Sequence, residues 1–464
     1  MFKKIATLLG ILLLLFSVVE ASEPLLLKVK GIKGSPVAFD VDGTVYMEPS
    51  FLEKGGIVKI LWENEKLYII PEGFTSSEKV EIPFSTVNGT SCIDFSYFCE
   101  PTGFSYSYKK DKQKISIKKT DFERKKKNRA GKRNSDSTRP LILWDPVHLY
   151  TSESAGFKKT SGFRILSPEW GCYDRFDTII PLKNFSYLKT AKDNEIAVMP
   201  LVHNNFNPPA TSSFLHDERK QEEVISRMAS VARVYGLYGY NIDFENMNPD
   251  DKDRFTAFVK KLSEALHKDG KVLTVDITVY NESAPYWSLC YDRKALAGFC
   301  DYEIVMGYDE TPRISQHAGS VSSWNWLNKN LNQLLTMVPS EKLVLGLPFY
   351  TRIYEGKPGS VKSRVLQMKD QSLMIARYHL KPVWHSSEKQ FVAEWKHNGR
   401  PQKVWLEERK SLAAKVELVS KYGLGGLAFW RYGFEMPSIY SDIETVLENS
   451  GTMEEVPTKG DKSD

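Results

Sequence analysis

The sequence is short of the residues that build metal centres. Its eight His and five Cys are scattered through 464 residues, with no CxxC, HxH or HExxH spacing. That excludes the common zinc patterns, and no metal site and no cofactor are predicted. Long apolar runs are equally scarce: beyond residue 22 none approaches the ~18 residues that a membrane-spanning helix needs. The first 22 residues, "MFKKIATLLGILLLLFSVVEAS", combine a charged start, an apolar run and small residues at Ala21 and Ser22. This is the pattern of an export signal, so the mature chain is expected in the periplasm, outside the cell or at the cell wall, with an uncleaved anchor as the alternative. No Cys follows the run, which argues against a lipoprotein. The odd number of cysteines leaves one unpaired. Cys92 with Cys99 and Cys290 with Cys300 are the expected disulfides by proximity, although connectivity cannot be read from sequence.

Excess charge of one sign is also absent, the formal net charge being +5. What basic charge there is gathers in residues 121–139, a polar stretch rich in Ser, Asn and Arg that runs from Arg124 through Arg133 without an acid. Such a run reads as a solvated linker, with contact to anionic envelope polymers as the functional alternative. An exported chain without aromatic residues interleaved among the basic ones does not point to nucleic acid.

Residues 23–120 contain an internal repeat. "DGTVYMEPSFLEKGGIVKILWENEKLYI" and "NGTSCIDFSYFCEPTGFSYSYKKDKQKISI" share the order strand, short helix, hairpin, at a period of about 46 residues. This small α+β repeat domain resembles the copper amine oxidase N-terminal-like modules of exported bacterial envelope proteins. The resemblance carries no copper ligands and implies a spacer or cell-wall contact.

From Leu141 the pattern alternates strand and helix. Candidate strands begin near Leu141, Phe163, Ala197, Gly239, Val272, Tyr302, Leu343 and Gly426. Between them lie amphipathic helices such as "DRFTAFVKKLSEALHKDG", whose Phe255, Phe258, Val259, Leu262 and Leu266 recur at helical spacing before Gly270. The fold class is therefore α/β, a (β/α)8 TIM barrel over 140–447. The gap between strands seven and eight leaves room for a small α+β insertion at about 351–403, with strands around "KPVW", "QFVAEW" and "QKVWL". The tail 448–464 is polar and expected to be disordered.

One strand breaks the apolar rule. In "GYNIDFE" the residues Tyr240, Ile242 and Phe244 make an apolar face, while Asn241, Asp243 and Glu245 project together from the other. Clustered carboxylates repel one another and resist desolvation, so stability alone does not account for them. On a fourth barrel strand they would lie toward the carboxyl end, where barrel enzymes place their chemistry.

Here the sequence resembles glycoside hydrolase family 18, whose DxxDxDxE signature matches Asp243 and Glu245 in its last two acids. "VMGYDE", "GLPFYTR" and "GGLAFWRYG" resemble the family's sixth, seventh and eighth strand ends. "HNNFNP" and the 404–430 stretch look like the branch of spore-cortex and peptidoglycan N-acetylglucosaminidases. The resemblance covers about 141–445. It implies substrate-assisted retention with Glu245 as acid and base, Asp243 aligning the substrate acetamido group, and Tyr308 holding its carbonyl. Met306 and Asp309 would line the same sugar subsite, and Trp430 would be its floor. Asn241 stands where the family motif has an acid; it is expected to hydrogen-bond Asp243 without sharing its charge.

Asn204 and Asn205, Tyr350 and Arg352 are further candidates for sugar contact, against a role in loop and rim structure. Asp276, in mid-strand, reads first as a buried hydrogen-bonded acid, and Trp144, Trp324, Trp326, Trp384 and Trp405 read as core. The implied partner is an N-acetylglucosamine glycan, peptidoglycan or chitin, and a monomer is expected. A glycan-binding barrel without catalysis is the rival from another class.

Overall fold

Short apolar runs that alternate with amphipathic helices bury best when the strands pair parallel and the helices cover them, and this chain does so. The computed structural model describes strand segments between residues 18 and 119, then residues 139–146, 164–173, 184–436 and 438–451. The chain divides into two compact units, Met1–Arg133 with Arg233–Gly236, and the remainder.

The larger unit holds a closed parallel barrel. Its staves are β1 (Leu141–Asp145), β2 (Arg164–Cys172), β3 (Ala197–Val198 resuming as Leu201–His203), β4 (Gly239–Asp243), β5 (Val272–Ile277), β6 (Tyr302–Met306), β7 (Leu343–Pro348) and β8 (Gly426–Trp430). Pairing runs in order, and β8 returns to β1 with Leu141 opposite Leu427. Pro200 interrupts β3 because it has no N–H to give the ladder, while its carbonyl still accepts from Asn241 N–H at 2.9 Å.

Inward-facing Ile142, Trp144, Ile165, Met199, Leu201, Ile304, Val344 and Ala428 fill the barrel. Trp144 fits because position 346 is Gly: a Cβ there would lie 3.1 Å from the indole and 2.7 Å from Val305 O. On the outer face Tyr240, Ile242 and Phe244 are fully buried. The Phe244 ring packs 5.7 Å from Phe255 and 5.9 Å from Phe258, on helix Lys252–His267. Burying such a ring is worth roughly 2–3 kcal/mol, and it pins the end of β4 from outside while polar residues on either side of it face inward.

Between β7 and β8 stands the insertion, an antiparallel sheet in the order Ser360–Gln367, Tyr350–Lys357, Arg400–Leu406, Gln390–His397, Val383–His385, with helix Gln371–Arg377. The hairpin Tyr350–Lys357/Ser360–Gln367 was not among the expected strands. Half of its second strand is exposed and it carries charges, so it lacks the apolar alternation that marks a half-buried strand. The final helix, Ile439–Gly451, continues past 448, where a disordered tail was expected.

In the smaller unit the described strands include the hairpins Val58–Glu63 with Lys66–Pro71 and Phe104–Lys109 with Lys114–Lys119. Most of the residues expected as an export signal, those before Arg139 expected as a basic linker, the expected helix of the second repeat, Cys99 and residues 452–464 lie outside the described residues. Among the described residues no helix is long and apolar enough to cross a membrane.

The expected Cys290–Cys300 disulfide does not form. Both are buried thiols at the two ends of the segment carrying helix Arg293–Phe299, and each bonds a carbonyl one turn back, Tyr286 O at 3.2 Å and Leu296 O at 3.1 Å. Nearness in sequence misled here because the helix between them sets them apart.

Candidate active site

The site grows from β4. Asn241, wholly buried, lies at the centre of the barrel. Its Oδ1 accepts from Trp144 Nε1 at 2.8 Å and Ser167 Oγ at 3.4 Å, and its Nδ2 donates to Thr274 Oγ1 at 3.0 Å and Asp276 Oδ1 at 2.8 Å. Four bonds to β1, β2 and β5 saturate the amide. The expected bond from Asn241 to Asp243 is therefore not made, and Asp243 Oδ1 is buried with no hydrogen-bond partner. The amide, one residue pair deeper in the barrel, has spent its donors sideways.

Asp243 closes β4 and is 7% exposed. Burial, then the charge of Glu169, pushes its carboxyl up to about 7. Glu245 lies just beyond the strand end and is half-buried. Burial, then Asp243, then Asp309, holds it well above the usual carboxylate range. Two carboxyls this close titrate as a pair, and together they keep a proton near neutral pH. Asp276, 1% exposed, is raised by burial and by Asp243 against the lowering effect of its bond from Asn241, as its reading as a hydrogen-bonded buried acid required.

Glu245 is held by its backbone. Its N–H donates to Asn204 Oδ1 at 3.1 Å, and Asn204 Nδ2 donates to Glu245 O at 2.7 Å. This double bond pair belongs to Asn204, which is buried. The sequence candidate Asn205 is exposed at φ 53°, and its contribution is a backbone N–H to His203 Nδ1 at 3.0 Å.

The far wall comes from β6 and β8. Met306 ends β6, half-buried, and Tyr308 follows two residues on. The Tyr308 ring stands edge-on to Trp144 at 6.2 Å and to Tyr350 at 6.4 Å. Trp430 ends β8 with its ring 6.0 Å from Trp144, so the two indoles and the Tyr308 phenol form one aromatic cluster at this end of the barrel. Asp309, at φ 56°, is gripped by Tyr350 OH at 2.6 Å and by Arg352 at 3.0 and 3.2 Å. Tyr350 and Arg352 are almost fully buried and act on Asp309; the structure does not leave them open as sugar contacts.

Sequence reasoning missed Ser167, Glu169 and His203. Ser167 and Glu169 carry the same period-two polar signal on β2 that singled out β4, and that signal could have found them. Trp144 is core, as its sequence reading has it, and its Nε1 also serves Asn241. Among the described residues no group of three or more His, Cys, Asp or Glu side chains is placed to hold a metal ion.

A closed (β/α)8 barrel with paired, proton-retaining carboxyls at the carboxyl end of β4 and an aromatic wall defines a glycosidase class. The model of glycosyl hydrolases family 18 matches residues 147–435, and the chain belongs to that family. It is 27% identical over 274 residues to the uncharacterized glycosylase YvbX of Bacillus subtilis, covering 57% of this chain and 78% of YvbX. It is 22% identical over 265 residues to the cortical fragment-lytic enzyme of Bacillus anthracis, covering 52% of this chain and 57% of that one. Among solved structures, a chitinase from Chromobacterium violaceum superposes with a TM-score of 0.58 at 23% identity, over 67% of this chain and 99% of that one. The spore cortex-lytic enzyme SleL of Bacillus cereus superposes at 0.59 and 18% identity, over 66% and 74%. These structural likenesses concern the fold.

Proposed function

We propose that the protein is an exported glycosidase that hydrolyses β-1,4 bonds on the reducing side of N-acetylglucosamine in peptidoglycan. The observation that carries this reading is the Asp243–Glu245 pair at the end of β4, each raised by burial, Asp243 further by Glu169 and Glu245 further by Asp243, in a barrel end that also carries Tyr308 and Trp430. A carboxyl that keeps its proton near neutral pH can donate it to a glycosidic oxygen.

In this mechanism Glu245 protonates the leaving oxygen while the carbonyl oxygen of the substrate's own acetamido group attacks the anomeric carbon. The glycosidic bond breaks and an oxazolinium ion forms. Asp243 accepts a hydrogen bond from the acetamido N–H, which fills its partnerless Oδ1 and balances the positive charge developing beside it. Tyr308 orients the carbonyl, and Trp430 supplies a flat apolar surface for the sugar ring. Glu245, now ionised, takes a proton from water as its oxygen attacks the anomeric carbon, which opens the ring with retention and restores the starting state.

Chitin oligomers are the second reading, favoured by the chitinase neighbour and by 24% identity over 245 residues to rat di-N-acetylchitobiase. Mass spectrometry of products from purified peptidoglycan and from chitin oligomers, with wild type and Glu245→Gln, separates the two. Muropeptides ending in reducing N-acetylglucosamine, absent with the variant, are the expected result. Mutant-sensitive release from chitin alone moves the substrate; binding without products from either polymer leaves a glycan-binding barrel.

A further inference from the structure

β2, β3 and β4 run side by side toward the rim of the site; β3 ends on His203 and β4 on Asp243, and β2 carries Glu169 three residues before its end at Cys172. His203 is the register partner of Asp243 across β3 and β4, so the two side chains leave the sheet on the same side at the same height. Beyond His203, Glu169 of β2 places Oε1 3.6 Å from His203 Nε2. The imidazole is fixed from two sides: Asn205 N–H donates to Nδ1 at 3.0 Å, and the Phe206 ring stacks at 6.0 Å. With Nδ1 accepting, the neutral ring carries its hydrogen on Nε2, facing Glu169. Glu169 is 37% exposed and His203 15%, so the acid stays in touch with water while the ring is built into the wall.

On the other side of Asp243 charge is missing. Asn241 is neutral, and burial together with Asp243 keeps the proton on Asp276.

We propose that Glu169, held by His203, is the charge partner of Asp243, a positioning pair that sets when Asp243 ionises and supplies from β2 the negative charge that Asn241 cannot supply from β4. This rests on Asp243 and Glu245 being the reacting acids. An ionised Glu169 resists a second charge on Asp243, which keeps the Asp243–Glu245 pair singly protonated as pH approaches neutrality. The other groups facing this row are Glu245 past β4, Asp276 on β5 and Asp309 after β6. Arg431 after β8 lies within electrostatic reach of Glu169, Asp145 and Glu435. None of these changes in the variants below.

The test compares pH profiles of kcat/KM on a fluorogenic glycoside of N,N′-diacetylchitobiose for wild type, Glu169→Gln, Glu169→Asp and the double variant Glu169→Gln/His203→Gln. Glu169→Gln is expected to move the acid limb down by about one pH unit, the low end of what one neighbouring charge does. Glu169→Asp should restore the limb. Adding His203→Gln should move it no further, since His203 acts through Glu169. A limb that stays in place while KM rises would make Glu169 a substrate contact and overturn the proposal.

A second measurement needs no turnover: 13C titration of aspartate side-chain carboxyls in the whole protein, with Asp243 assigned by Asp243→Asn. A midpoint about one unit lower in Glu169→Gln supports the pair even if the substrate reading fails. An unmoved midpoint sinks the pair even if the enzyme turns over.

Discussion

At the scale of single residues, Asn241 shows how much one amide decides. It joins β1, β2 and β5 through Trp144, Ser167, Thr274 and Asp276, and it sets the floor under the acids. Asn241→Asp removes two buried donors and adds a carboxylate beside Asp276. The expected cost is about 2 kcal/mol of stability, read by denaturant unfolding at pH 7. The same change should carry the acid limb of kcat/KM upward, because a second charge next to Asp243 resists its ionisation. An unchanged unfolding midpoint would mean that the network is not coupled to stability. The polar character of Asn241 and Asp243 was legible from the alternation of β4, but the direction of each side chain was not. Which partner Asn241 chooses depends on Trp144 and Thr274, which lie far from it in the chain and approach only when the barrel closes.

At the scale of elements, the insertion between β7 and β8 shapes the site through the loop after β6. Its first strand brings Tyr350 and Arg352 to Asp309, and Tyr354 OH reaches Thr311 O at 3.1 Å. Gln390 meets Ser320 Oγ at 2.5 Å. Beneath these contacts Lys415 and Glu407 form a fully buried ion pair, to which Gln390 and Ser411 add hydrogen bonds. Lys415→Met strands the Glu407 charge and should cost roughly 3–5 kcal/mol, whereas Lys415→Met with Glu407→Leu should recover most of it. Thermal and denaturant unfolding of the two single variants and the double variant measure the difference; an additive double variant would show that the pair is not a unit. The barrel strands were readable because most of them carry a short apolar run. The hairpin Tyr350–Lys357/Ser360–Gln367 was not, since half of it faces water and its sequence carries no period.

At the scale of the whole molecule, buried acids set the pH dependence of stability. Burial pushes Asp145 up to about 6, Asp243 to about 7 and Glu303 to about 8. Each group keeps in the native state a proton that the unfolded chain has already lost, so the native state binds more protons between about pH 4 and 8. Stability is then full below the unfolded pKa values and falls as pH rises through this window. Both Glu303 carboxylate oxygens are buried without hydrogen-bond partners. Glu303→Gln should flatten the upper part of the fall and raise stability above pH 8 by up to roughly 4 kcal/mol. Unfolding free energies measured from pH 5 to 9 test this, and parallel curves for wild type and variant would contradict it. The division of the chain at Arg133 carries a further expectation. A chain starting at residue 134 should keep turnover on soluble substrate, and loss of turnover together with loss of fold would show that the first unit is needed by the barrel.

The sequence by itself determined the strand-and-helix alternation, the barrel and the acids of β4, because period and burial are local properties that apolar side chains write directly into the chain. Only tertiary structure decided the rest: that Trp144 and Asn241 meet at the barrel centre, that Asn204 rather than Asn205 holds Glu245, that Tyr350 and Arg352 are spent on Asp309, and that His203 stands beside Asp243 with Glu169 at its Nε2. The reason is physical. A closed barrel sets strand ends from distant parts of the chain next to one another at hydrogen-bond range, and the direction of each polar side chain there is chosen by neighbours that no local pattern contains.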